Sequence, residues 1–296
     1  MLFELLQRLL APVWVRLALG MLATLPLAVA PAAGAGSLSL DVRAGAGYDS
    51  NVGNAERDDE QEEDMVSDLN AIGGYRFPVN DISGLILKAG LETRLHADLT
   101  DLNSLTAMAS ASYLVQPWRG FSAPWFALFG EFRWRHHADS EIRDGTIRNV
   151  GLTVGQQVTD RVSGQLRFEV VDRDADRGRA FEFTQRILSV AVDHRTTDRL
   201  TTYLTYHYVK DGLVTTARPS LKFRDFRRAA TMDPAFGRGK VAWRLGGHVH
   251  SFGLGGRYTL AERTALDGKV SYSNARADND NQWRVWRAGL ALVHRF

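Results

Sequence analysis

Between Leu85 and Leu95 the chain alternates with period two. Leu85, Leu87, Ala89, Leu91, Thr93 and Leu95 take the odd positions, and Ile86, Lys88, Gly90, Glu92 and Arg94 lie between them. A strand sends these sets to opposite faces, one apolar and one charged; a helix would spread them around its circumference. The same alternation recurs at 105–115, 126–135, 150–158, 162–170, 200–208, 252–260, 266–272 and 286–296, and more weakly at 38–48, 65–77 and 183–193. Twelve strands are therefore predicted, with a spacing that suits tilted membrane strands of ~9–11 residues. Splitting the 210–245 segment would raise the number to fourteen.

The connections also alternate in length. Short ones fall at Pro78–Asp81, Thr159–Arg161, Thr196–Asp198 and Ala261–Arg263, with a looser one at Pro117–Pro124. Long polar ones fall at Asp49–Asp64, His96–Leu102, His137–Gly145, Asp172–Ala180, Lys210–Leu245 and Ala275–Gln282. Short turns at one end and long loops at the other predict an all-β fold, a transmembrane antiparallel up-and-down barrel. An even strand number brings both ends of the barrel to the short-turn, periplasmic side. A soluble sandwich also alternates, but a dry core would not accept the Arg and Glu of the second face. Tyr48, Tyr75, Phe77, Tyr113, Trp134, Tyr206, Tyr208, Tyr258, Tyr272 and Trp286 fall near predicted strand ends, where a membrane barrel carries its aromatic girdles.

The first 35 residues read differently. Arg8 and Arg16 precede an apolar run from Leu17 to Ala30, followed by small residues ending in Ala33-Gly34-Ala35. This order predicts a secretory signal peptide cleaved before Gly36, leaving 36–296 as the barrel. The run is short for a membrane helix, and Pro26 interrupts it. With no cysteine, disulfides, Cys-zinc sites, thiol catalysis and a lipid-anchored cysteine are excluded. A net charge of +2 gives no reason to expect nucleic acid.

The charged face is the one a barrel turns inward. It carries Arg43, Arg76, Lys88, Arg94, Arg133, Arg135, Arg167, Arg257, Lys269 and Arg287 against Asp41, Asp68, Glu92, Glu131, Glu169 and Asp267. The pattern points to an outer-membrane, porin-like passive channel for small hydrophilic solutes. The lumen lining that would set a weak anion preference is Lys88, Glu92, Arg94, Glu131, Arg133, Arg135, Arg167, Glu169, Arg257, Lys269 and Arg287. No cofactor, metal or enzyme activity is expected.

Gly45-Ala46-Gly47-Tyr48-Asp49-Ser50-Asn51-Val52 resembles the first barrel strand of surface lipoprotein assembly modifiers and related porin-like proteins, which often carry Gly-Tyr-Asp-Ser-Asn there. The resemblance implies a barrel. It also implies a second function, help in exporting or displaying a surface lipoprotein. Those proteins usually carry a helical-repeat domain ahead of a barrel thought to have fourteen strands; neither is read here. The last strand, with Leu292, His294 and Phe296, resembles the C-terminal signal of outer-membrane barrels, which implies recognition by the barrel-assembly machinery. His294 stands where an aromatic or apolar residue is more usual.

Other chemistry is thinner. His136, His137, Asp139 and Glu141 share one predicted rim, and Asp172, Asp174 and Asp176 another, the raw material of an outer-membrane lipid hydrolase. No nucleophile–His–carboxylate set follows from the spacing. Asp58, Asp59, Glu60, Glu62, Glu63 and Asp64 lack calcium-loop spacing and read as a mobile, solvated loop. The 210–245 segment is basic, with Lys222, Arg224, Arg227, Arg228, Arg238, Lys240 and Arg244 against Asp225 and Asp233. It reads either as a lid or anion-docking surface at the mouth, or as a loop bound to lipopolysaccharide phosphates. The glycines at 253–256 lie mid-strand, with no helix following, so they relieve crowding and do not cradle a nucleotide.

Overall fold

The computed structural model describes residues 36–296; the predicted signal peptide lies outside the described residues. In chain order the strands are β1 (Ser37–Asp49), β2 (Asp64–Asn80), β3 (Ser83–His96), β4 (Ser104–Val115), β5 (Trp125–His137), β6 (Gly145–Gln157), β7 (Val162–Ala175), β8 (Phe183–Arg195), β9 (Leu200–Lys210), β10 (Leu213–Ala217), β11 (Ala230–Met232), β12 (Val241–Leu245), β13 (Gly247–Ala261), β14 (Thr264–Ala277) and β15 (Gln282–Arg295). Twelve of them close an antiparallel barrel in which each strand pairs with its neighbours in sequence. β9 pairs with β13 across the 211–246 insertion, and β15 returns to β1. This is an all-β transmembrane barrel. The insertion does not add two wall strands, so fourteen is excluded. β10, β12 and β11 form a separate three-stranded sheet.

The register carries one apolar row round the outside. Leu87 lies opposite Ala111, Ala111 opposite Gly130, and Gly130 opposite Val150. Leu128 is 59% exposed and Leu204 58%, values suited to acyl chains and costly in water. Aromatics bound this belt at both ends. Tyr75 packs on Phe77 toward the short turns, and Tyr272 on Trp286 toward the long loops, with ring centroids 4.3 and 4.7 Å apart. The closing seam runs from Asp41 opposite Arg295 to Asp49 opposite Arg287, and the Phe296 amide donates to the Leu40 carbonyl at 2.9 Å. The two ends of the barrel chain therefore meet at the short-turn end.

Several strands outrun their sequence signal. β7 continues to Ala175 and β14 to Ala277, where loops were expected from Asp172 and Ala275. In these upper extensions the outward positions are polar, as in the row Arg186–Lys210–His248–Arg276, each residue opposite the next on β8, β9, β13 and β14. A wall that rises above the lipid is wet outside, and inside it meets the lid or the chamber, as Ala275 and Ala277 meet the lid. It therefore loses the apolar alternation that marks a membrane strand.

Candidate functional site: a charged lumen under a folded lid

The inward positions of the wall hold the sequence-derived lining. Five of its arginines pair as ions within a strand or across one strand boundary, Arg257 and Arg287 among them. Arg133 Nε lies 2.6 Å from Glu131, Arg167 lies 2.8 Å from Glu169, and Arg94 turns from Glu92 to Asp68 on β2 at 2.8 Å. The first two pairs thus run along their own strands and do not bridge to neighbours. Nearer the short turns, Asp267 is 3% exposed and collects Arg257 at 3.0 Å, Arg43 at 3.7 Å and the Tyr203 hydroxyl at 3.0 Å. Gly255 makes this possible. The Tyr203 ring crosses it closely, and a Cβ at Gly255 would stand 2.2 Å from the ring. Among the described residues, Lys88, Arg135 and Lys269 have no carboxylate oxygen within 4.0 Å. Leu292 and His294 face outward on β15. The His294 ring packs edge-on against Phe296 at 4.4 Å, and its Nδ1 lies 2.8 Å from the Thr264 hydroxyl.

The long-loop end is covered. β10, β11, β12 and the 3-10 helix Leu221–Ala229 fold into a lid. Its apolar underside, with Leu213, Phe223, Val241, Trp243 and Leu245, packs on inward wall residues Ala275, Ala277, Trp283 and Val285; Phe223 stacks on Trp243 at 4.7 Å. The lid then reaches every other long loop. The Thr216 amide donates to the Gly53 carbonyl at 2.7 Å, and Asn279 donates to the Lys222 carbonyl at 3.2 Å. Phe236 packs on Leu102, and the Ala180 amide donates to Thr231 at 3.2 Å. The fifth contact is ionic. Both terminal nitrogens of Arg143 donate to Asp233, at 2.7 and 2.5 Å, and the Thr216 hydroxyl donates to the same carboxylate at 2.9 Å. Asp233 is wholly buried.

The lid also corrects the expectation of a mobile acidic loop. Glu60 is buried and accepts the Arg218 amide at 3.1 Å, while Lys222 pairs with Glu56 at 2.7 Å. Asp64 is buried too, accepting the amides of Ala97, Asp98 and Leu99 at 3.0–3.2 Å and facing His96 Nδ1 at 3.0 Å. Of that acidic run, Asp59 stays in solvent, where a hydrogen bond from Arg57 holds its carboxyl below the ordinary carboxylate range. Gly-Tyr-Asp-Ser-Asn acts as a strand-end lock. Asp49 binds Arg287 at 2.6 Å and the Asn51 amide at 3.0 Å. The Asn51 side chain bridges Ala55 and Arg284, and Ser50 accepts the Trp286 amide at 2.9 Å.

Of the rim residues His136, His137, Asp139 and Glu141, the two histidines share one carboxylate, that of Asp144. The strand alternation turns His136 outward and His137 inward, and both Nδ1 atoms face Asp144, at 2.6 and 3.1 Å. Asp139 has no part in this, and Glu141 pairs with Arg177. Among the described residues, no three His, Asp or Glu side chains converge as a metal site.

Below the lid lies a chamber of about 320 Å³ lined by Asp49, Glu92, Arg94, His96, Arg135, His137, Arg143, Arg173, Arg287 and, from the lid, Phe236. Sequence reasoning missed Arg173 by ending strand seven at Val170. Its position continues the inward phase of Arg167, Glu169 and Val171.

No family model matches the chain, and no curated protein matches it. Solved structures do. An outer membrane channel from Pseudomonas putida F1 is 8% identical, with 90% of this chain and 97% of that chain covered at a TM-score of 0.55. The KdgM porin in complex with disordered oligogalacturonate is 13% identical, with 87% and 99% covered at 0.47. The transport unit of the autotransporter AIDA-I from Escherichia coli is 10% identical, with 95% and 97% covered at 0.44. At these identities the likeness is one of fold.

Proposed function

We propose that the chain is an outer-membrane channel for small hydrophilic solutes, weakly preferring anions, with its outer mouth narrowed by the lid. The observation that carries this is the basic surplus turned into the lumen. Among the described residues, Lys88, Arg135 and Lys269 have no carboxylate within 4.0 Å, and Arg173 joins Arg135 in the chamber. In a narrow passage with low-dielectric walls, such a surplus raises the local anion concentration. On this reading the short-turn end, with both ends of the mature chain, faces the periplasm. The outward row Arg186–Lys210–His248–Arg276 meets lipopolysaccharide phosphates above the Tyr206–Tyr208 girdle. Leu292, His294 and Phe296 on the closing strand serve the barrel-assembly machinery. Liposome swelling with neutral and anionic sugars of matched size tests it. Faster entry of the anionic sugar supports the reading, and no entry of either sugar opposes it.

A further inference from the structure

We propose that the chamber under the lid is a binding site for a compact oxyanion-bearing solute, its phosphate or carboxylate held between Arg135 and Arg173. The proposal rests on reading the lumen as a solute path and goes further, giving that path a saturable site.

Charge accounting inside the chamber points there. Five arginines line it. Three are matched by carboxylates: Arg94 by Asp68 at 2.8 Å, Arg287 by Asp49 at 2.6 Å and Arg143 by Asp233 at 2.7 Å. Arg135 and Arg173 have no carboxylate within 4.0 Å among the described residues. Arg135 Nε donates to the Thr106 hydroxyl at 3.0 Å, and one Arg173 nitrogen donates to the Arg143 carbonyl at 2.8 Å. A guanidinium carries five N–H donors, so most of each fork is left to a solute. Glu92 opposes this as a lining carboxylate with no guanidinium within 4.0 Å among the described residues. It shares a cross-strand row with Thr106 and Arg135, so it offsets charge on that side and leaves the Arg173 side in excess.

The site is also built. The Phe181 ring lies 4.6 Å from the Arg143 guanidinium and 5.3 Å from that of Arg173. This cation–π contact fixes Arg173 and lowers the ordering cost of binding. Like charges held close together in a partly enclosed space repel, and an oxyanion relieves that repulsion while accepting paired N–H bonds. The volume suits a small solute. Access runs from the lumen, because a second cavity of about 270 Å³ shares Asp49, Val66, Arg94 and Arg287 with the chamber.

Titration calorimetry on the refolded mature chain in neutral detergent, with inorganic pyrophosphate and with citrate as probes, tests the site. Saturable one-to-one binding of at least one probe is expected. It should weaken about tenfold or more, some 1.4 kcal/mol, in both Arg135→Gln and Arg173→Gln. Arg295→Gln removes the same charge at the short-turn end, where Arg295 pairs with Asp41, and should change affinity less than about twofold. No saturable heat with either probe overturns the proposal, as does equal weakening by Arg295→Gln, which would mark a bulk charge effect. Heat-modifiable gel mobility verifies folding, and Arg135→Gln decides alone if Arg173→Gln does not fold. Binding without conductance keeps the site and removes the channel. Conductance without saturable binding does the reverse.

Discussion

The lid should come loose when one carboxylate is neutralised. Asp233 sits on the lid, wholly buried, and Arg143 sits on the loop between β5 and β6, 9% exposed. Asp233→Asn removes the charge that both terminal nitrogens of Arg143 address and leaves a guanidinium enclosed without its counter-ion. Breaking such a pair on one side costs about 3–5 kcal/mol. The barrel wall makes none of these bonds, so the loss falls on lid seating. At 1.4 kcal/mol per decade, that raises the open fraction by roughly a hundredfold to a few thousandfold. The chain has no cysteine, so Ala242→Cys, on lid strand β12 at a position 0% exposed and packed on Ala175, Ala180 and Phe181, is a silent reporter. Its labelling by a thiol reagent requires the lid to open locally. Asp233→Asn should accelerate labelling by about a hundredfold or more. Replacing both partners, Arg143→Met with Asp233→Leu, should bring it most of the way back, since a matched apolar pair leaves no buried charge. A labelling rate within twofold of the parent in Asp233→Asn would refute the pair's role as the lid's anchor.

Other consequences are open to measurement. Leu128→Arg, on the lipid face, should cost about 2–4 kcal/mol in a folding titration, and Ser110→Arg, pointing inward, much less; equal penalties would mean the faces are reversed. Gly255→Val should displace the Tyr203 ring and cost about 1–3 kcal/mol in the same titration. Adding Tyr203→Ala should recover part of that loss, and strict additivity would contradict the close contact. Epitope labels near residues 58 and 225 should stain on intact cells, and staining only after permeabilisation would invert the topology.

The wall was legible because its chemistry is two-faced. Wherever one face meets lipid and the other water, the period-two signal is strong, and Leu85–Leu95 alone distinguishes strand from helix. The signal fades above the membrane, where outward Asp172 and Asp174 meet water and inward Arg173 meets the chamber and Phe181, so no apolar face marks the strand there. The lid was legible only as a basic segment. Its strands are three to five residues long, and its core of Leu213, Phe223, Trp243 and Leu245 closes against wall positions far away in sequence. No local pattern reveals that Asp233 meets Arg143, or that Glu60 and Asp64 are structural acceptors inside an otherwise solvated acidic run. The charged lining was readable by phase, but the pairing was not: Arg94 selects Asp68 across the strand boundary, while Arg133 keeps to Glu131 beside it.

The central claim is a conducting lumen with a positive surplus, and a reversal potential tests it most directly. The purified barrel is placed in a planar bilayer across a salt gradient, as wild type and as the lid-released Asp233→Asn variant. Both should show a reversal potential shifted toward that of the anion, with higher conductance in Asp233→Asn. Arg94→Glu combined with Arg133→Glu should reduce or reverse the shift. Cation selectivity in the wild type, or no conductance in either protein, would contradict the account.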